Sequence, residues 1–153
     1  MSFIISITKT KIKFVEMLMP LFLLGTRLWV AWVFFASGML KYQSYSTTVF
    51  LFKEEYKVPL LSNSPEIAAF LGTATELIFP VFLAMGLGGR WAAFILFVFN
   101  IVAVYSYPAL WENAAGMLQH QLWGFMLLVL VFTGPGKLSI DHFIRQKYMP
   151  NAR

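Results

Sequence analysis

The chain has 153 residues, of which 59% are hydrophobic and only 12% charged, about half the charged share of an ordinary soluble domain. Its length predicts one domain, residues 1–153, and a mean hydropathy of +0.69 places the apolar material in membrane spans and not in a solvated core. The net charge of +5 does not mark a nucleic-acid binder, because the basic residues stand at the ends of apolar runs.

Cysteine is absent, which removes disulfides, iron–sulfur clusters and Cys-ligated zinc. Lys9, Lys11 and Lys13 precede the first apolar run, as in a secretory signal. The run that follows is too long for one, contains Arg27 and lacks a small-residue cleavage site, so it reads as a retained span over about 18–40. From Leu18 to Lys41 it holds about twenty apolar residues, enough to cross a hydrocarbon core of roughly 30 Å. Arg27 stands near the midpoint, where a cation costs on the order of 3 kcal/mol and needs a partner from another helix.

Residues 42–64 are too polar to span, yet Tyr45, Val49, Phe52 and Tyr56 recur at helical spacing. Two readings stand: a short interfacial helix on the extracytoplasmic surface, broken by Pro59, or a loop folded over the mouth of the bundle. Ser64-Pro65-Glu66 is a helix start. A second span follows at about 67–87, ended by Gly86, Gly88 and Gly89, with Arg90 marking a tight turn. A third, about 91–107, is stopped by Pro108, and a fourth, about 117–133, by Thr133-Gly134-Pro135-Gly136. The tail, 137–153, is basic and contains the amphipathic stretch LSIDHFI.

The predicted class is all-α: an integral membrane antiparallel four-helix bundle. With both termini cytoplasmic, eight Lys and Arg lie inside and three (Lys41, Lys53, Lys57) outside, which favours an N-in, C-in protein of the plasma membrane.

Within the spans, Glu76 is the only acid well inside an apolar run. It lies about as deep in the second span as Arg27 in the first, so the two are expected to form a bidentate ion pair near the midplane. Arg27, Ala31, Phe34, Gly38 and Lys41 fall on one stripe, and Ala68, Gly72, Glu76 and Pro80 on another. Gly38 and Gly72 beside the charges, and Gly124 in the fourth span, read as helix-packing positions. Asn100 lies mid-depth and is placed to hydrogen-bond the pair. The pair either fixes helix register or serves a function, and both readings stand.

His120 lies in Gly116-x-x-x-His120-x-x-x-Gly124, with Trp123 one turn on. It reads either as a packing residue or as the source of a hydrogen bond to a ligand carbonyl near the outer leaflet. His142 is in the tail, on the wrong side for a bis-histidine haem, and no set of three or four ligands suggests a metal. GLGGR at 86–90 lacks the strand context of a phosphate loop. There is no inverted repeat or broken helix pair of the transporter kind.

Arg27 with FFASGMLK (34–41), YKVPLL (56–61), Glu76, MGLGGRWAA (85–93) and GPGKLSID (134–141) occur in this order, and the chain thereby resembles the DoxX family over about Arg27 to Phe143. That resemblance implies a four-span bundle in a bacterial or archaeal plasma membrane, with shared residues at Arg27, Gly38, Lys41 and Glu76. It also implies a link to quinone-dependent oxidation, since the family includes DoxD-type small subunits of a thiosulfate:quinone oxidoreductase. Other members look like accessory partners in oxidative-stress or metal-handling assemblies. Two functions follow as expectations. One is a membrane subunit or partner of a quinone-linked oxidoreductase, with His120, Trp123 and Asn100 at the quinone headgroup. Electrons would then come from a soluble oxidoreductase partner or a diffusible reductant. The other is a non-catalytic membrane anchor or assembly factor that docks a protein partner or forms a homo-oligomer.

Overall fold

The computed structural model describes residues 2–149, with side chains from residue 12 onward; the side chains of Lys9 and Lys11, and Arg153 in the tail, lie outside the described residues. Six helices follow in order: α1 (Ser2–Gln43), α2 (Tyr45–Glu54), α3 (Pro65–Met85), α4 (Gly89–Ser106), α5 (Ala114–Thr133) and α6 (Ile140–Tyr148), with a 3₁₀ turn at Pro108–Glu112. Four helical stretches are long and apolar enough to cross a membrane: Ile12–Gln43 of α1, and α3, α4 and α5. Their outward faces carry Trp32, Trp91, Phe125 and Phe132, each at least 67% exposed, as suits helices bathed in lipid. The chain is a multi-pass membrane protein.

The first helix is longer than its apolar pattern predicts. It runs unbroken through Pro20, yet Ile12 to Phe22 touches little, and α1 enters the core only at Leu23 (5% exposed). From there Arg27, Val30, Ala31 and Phe34 are buried. Leu23, Val30, Ala31 and Phe34 meet Leu83 of α3, Ala93 and Leu96 of α4, and Leu127 and Leu130 of α5 in one apolar cluster. Alanines at 31, 68, 69, 92 and 93 are all buried, and such small side chains let membrane helices approach closely.

Of the two readings of residues 42–64, the helix forms, over Tyr45–Glu54, and it packs against the spans as the alternative loop was expected to do. Phe52 of α2 lies over Gly72 of α3, where a β-carbon would stand 3.3 Å from the ring. The buried face is set by Thr48 and not by Tyr45, which is 39% exposed. Thr48 Oγ1 bonds the carbonyls of Lys41 and Ser44 at 3.0 and 3.2 Å, holding α2 to the end of α1. Farther on, Lys57 N–H donates to Ser106 O at 2.7 Å.

Pro65 opens α3, although the Ser64 side chain makes no capping bond. The helix ends at Gly86 (φ 66°) with Gly86 N–H on Leu83 O and Leu87 N–H on Phe82 O, both 3.1 Å, the paired bonds of a Schellman end. The next helix is capped from the far end of the sequence. Asp141, in the first turn of α6, accepts from Gly88 N–H (2.8 Å) and Gly89 N–H (2.9 Å), and its own N–H donates to Gly86 O at 3.0 Å. A carboxylate at a helix N-terminus satisfies free N–H groups and meets the positive end of the dipole. The tail is thereby stitched to the α3–α4 turn. Asp141→Ala should lower the stability of the protein in detergent by about 1–2 kcal/mol, read as a lower thermal midpoint, with Asp141→Asn losing less.

Candidate functional site

Among the described residues two polar clusters stand at different levels, one at the C-terminal end of α3 and one level with its middle. At the first, Arg27, 1% exposed, spends its guanidinium on main-chain oxygens. Nη1 donates to Pro135 O at 2.6 Å, and Nη2 to Leu138 O at 2.8 Å and Ala84 O at 3.2 Å. Its Nε has no partner among the described residues. The expected Arg27–Glu76 pair does not form. Along α1, Arg27 lies level with Ala84 and Gly86, whereas Gly38 abuts Glu76. Eleven residues of helix separate those two levels, roughly 16 Å. The apolar run places Arg27 mid-span, but the packed part of α1 begins only at Leu23, which puts Arg27 at one end of the bundle.

Glu76 instead pairs with Lys41 at 2.7 Å. Lys41 Nζ also donates to Ser37 Oγ at 2.8 Å, and Ser37 Oγ reaches Glu76 Oε1 at 3.3 Å. The side chains are 21% exposed for Lys41 and 8% for Glu76. Gly38 makes the approach possible, since a β-carbon there would lie 2.8 Å from Glu76 Cβ. Lys41 shares the stripe of Gly38, the one signal in the sequence that it turns inward; counting it among the extracytoplasmic charges hid this.

Asn100 does not join either charge. Its Nδ2 donates to His120 O at 3.0 Å, and its Oδ1 lies 2.8 Å from His120 Nδ1. Gly124 lies beside this contact, where a β-carbon would stand 3.4 Å from Asn100 Nδ2. His120 meets Trp123 edge-on with centroids 4.9 Å apart, and Trp123 meets Phe34 at 6.1 Å.

A cavity of ≈ 370 Å³ joins these groups. Lys41, Glu76 and Ser37 border it, as do His120 and Trp123, while Phe34 and Phe99 supply apolar wall. Toward its mouth Phe52, Tyr56 and Tyr107 form a stack with spacings of 4.6 and 4.9 Å. Burial, with Tyr107, Glu76 and Glu55 adding to it, pushes the Tyr56 phenol up to about 12. Ser106, 1% exposed, borders the same cavity with a hydroxyl that has no partner among the described residues. Sequence reasoning singled out His120, Trp123 and Glu76, and noted Tyr56 only as part of a helical stripe; Ser37, Ser106 and Tyr107 carry no charge and were not singled out as cavity residues.

Membrane-spanning helices around an aromatic cavity that contains a buried ion pair and a histidine define the class. The chain belongs to the DoxX family, whose model matches residues 22–109. That range contains Arg27, Lys41, Glu76 and Asn100 and stops before α5, so His120 and Trp123 lie outside it. An uncharacterized protein of Haemophilus influenzae is 30% identical over 131 residues, which cover 82% of this chain and 85% of its own. No solved structure matches significantly.

Lys41→Met should destabilise by roughly 3 kcal/mol, because it strands a buried carboxylate. Lys41→Met with Glu76→Met should recover most of that in detergent unfolding, whereas Arg27→Leu with Glu76→Leu should recover none of the Arg27 loss. In alkaline difference spectra, Tyr56→Phe should remove a tyrosine ionisation near pH 12.

Proposed function

We propose that this DoxX-family protein is an antiparallel four-helix bundle of the plasma membrane, with both termini cytoplasmic, that holds a quinone headgroup in its cavity. In this reading it serves as a membrane subunit or partner of a quinone-linked oxidoreductase. One observation carries the proposal: the cavity faces an ion pair, Lys41–Glu76, on one wall and a histidine with a ring nitrogen left over on another, with aromatic rings between. Its ≈ 370 Å³ sits at the small end of the roughly 300–1,000 Å³ of ligand pockets, a size for a headgroup and not for a whole isoprenoid. Leu71, 48% exposed, borders the cavity, which offers the tail a way out into lipid.

A bound quinone would supply two-electron, two-proton redox chemistry. The chain's own residues bind and orient it: His120 and Lys41 at its oxygens, Trp123, Phe34 and Phe99 against its ring. Asn100 fixes the His120 ring. The partner or a diffusible reductant supplies the electrons.

A second reading, the accessory or assembly factor, is favoured by the α2–α3 link. There Leu60 stands fully exposed (102%) in the left-handed backbone region (φ 65°), a projecting apolar side chain of the kind a protein partner covers.

Lipids extracted from protein purified in mild detergent and read by mass spectrometry separate the two. The native protein should retain quinone, and His120→Ala should retain at least about tenfold less with an unchanged helical spectrum. A native protein that carries none gives the function to the accessory reading, and a photo-crosslinker at Leu60 then identifies the partner.

A further inference from the structure

We infer that the cavity's ligand donates a hydroxyl hydrogen to His120 Nε2, so that the site takes the reduced, hydroxyl-bearing ring in preference to its carbonyl form. The inference rests on the ligand-binding reading of the cavity and names which form of the ligand fits it. It reverses the sense expected from the sequence, in which His120 bonds a ligand carbonyl.

The argument starts at Asn100, whose amide is engaged at both ends by one residue. Nδ2 lies 3.0 Å from the main-chain oxygen of His120, and Oδ1 lies 2.8 Å from its Nδ1. A carbonyl oxygen only accepts, so the NH₂ end of the amide must face it; turned over, the amide would set oxygen against oxygen. Oδ1, also acceptor-only, therefore faces Nδ1, and Nδ1 carries the hydrogen. Asn100 is 4% exposed and closely packed against Gly124, so the amide is held in place.

A neutral imidazole protonated on Nδ1 presents Nε2 as a lone-pair acceptor. Among the described residues Nε2 has no partner, and the ring borders the cavity. Glu76, the carboxylate on the cavity wall, is already taken by Lys41 and Ser37, so no free counter-charge holds the ring as an imidazolium. A hydroxyl satisfies Nε2, whereas a carbonyl oxygen sets lone pair against lone pair. On the other wall the Lys41 ammonium donates to either form. Discrimination therefore lies at His120, with Asn100 as its positioning residue.

The test uses two probes that differ in the group on one oxygen, 4-heptylphenol with a hydrogen to donate and its methyl ether 4-heptylanisole with none, titrated calorimetrically into the full-length protein in detergent. The native protein should bind the phenol about tenfold more tightly, and Asn100→Leu with His120→Leu should reduce the ratio to about twofold or less. Trimethylhydroquinone and trimethylquinone under anaerobic conditions should rank the same way. Equal binding of phenol and ether by the native protein overturns the hydroxyl-donor inference and leaves the cavity a ligand site; binding of neither overturns both. A readout that needs no change at the site is the ¹⁵N spectrum of histidine-labelled His142→Gln protein. It should show Nδ1 protonated and Nε2 bare, and the opposite tautomer would sink the proposal.

Discussion

A buried guanidinium without a carboxylate organises this protein. Arg27 places a full charge among three main-chain oxygens, one at the end of α3 and two in the chain after α5. Main-chain carbonyl oxygens carry the partial negative charge that such a group needs once water is gone, and Ala84 O adds the negative end of the α3 dipole. They offer it only if the ends of α3 and α5 converge beside α1. Gly86 serves this twice: its left-handed backbone ends α3, and its missing side chain leaves room, since a β-carbon would lie 2.5 Å from Arg27 Nη1. Asp141 locks the same turn from the other side.

The two clusters are fastened by different means. Around Arg27 the fastening is largely main-chain, through three carbonyls, a Schellman turn and a helix capped by a distant carboxylate. Around Lys41 it is largely side-chain: an ion pair, an aromatic stack and a single main-chain bond from Lys57 to Ser106. Side-chain closures open locally at lower cost than a network of buried main-chain bonds.

Much of the architecture was legible because the bilayer imposes length and composition on every crossing segment. Glycine and proline marked the ends of α3, α4 and α5 for stereochemical reasons that need no tertiary context. The buried stripes through Arg27 and Glu76 were equally readable, since helical periodicity reports a face. Depth was not. An apolar run shows how long a helix is, not where it begins to pack, and the stretch of α1 before Leu23 shifted Arg27 away from Glu76. The cap by Asp141 was not readable because its partners lie more than fifty residues away, and Asn100 stood out by its depth but was given the wrong partner, because an amide gives no hint of whose hydrogen bond it completes. Within the family-matched range the resembling segments divide in space between two levels: Arg27 and 85–93 at one, and Gly38, Lys41 and Glu76 at the other.

The Lys41–Glu76 pair also bears on voltage. A lone charge carried across the full membrane potential changes energy by about 2.3 kcal/mol per 100 mV. Two opposite charges 2.7 Å apart sum to zero and span only a small fraction of the field. A neutral guest beside them would leave that sum untouched, so its occupancy would be set by chemistry and concentration, with almost no grip on it from the energised state of the membrane.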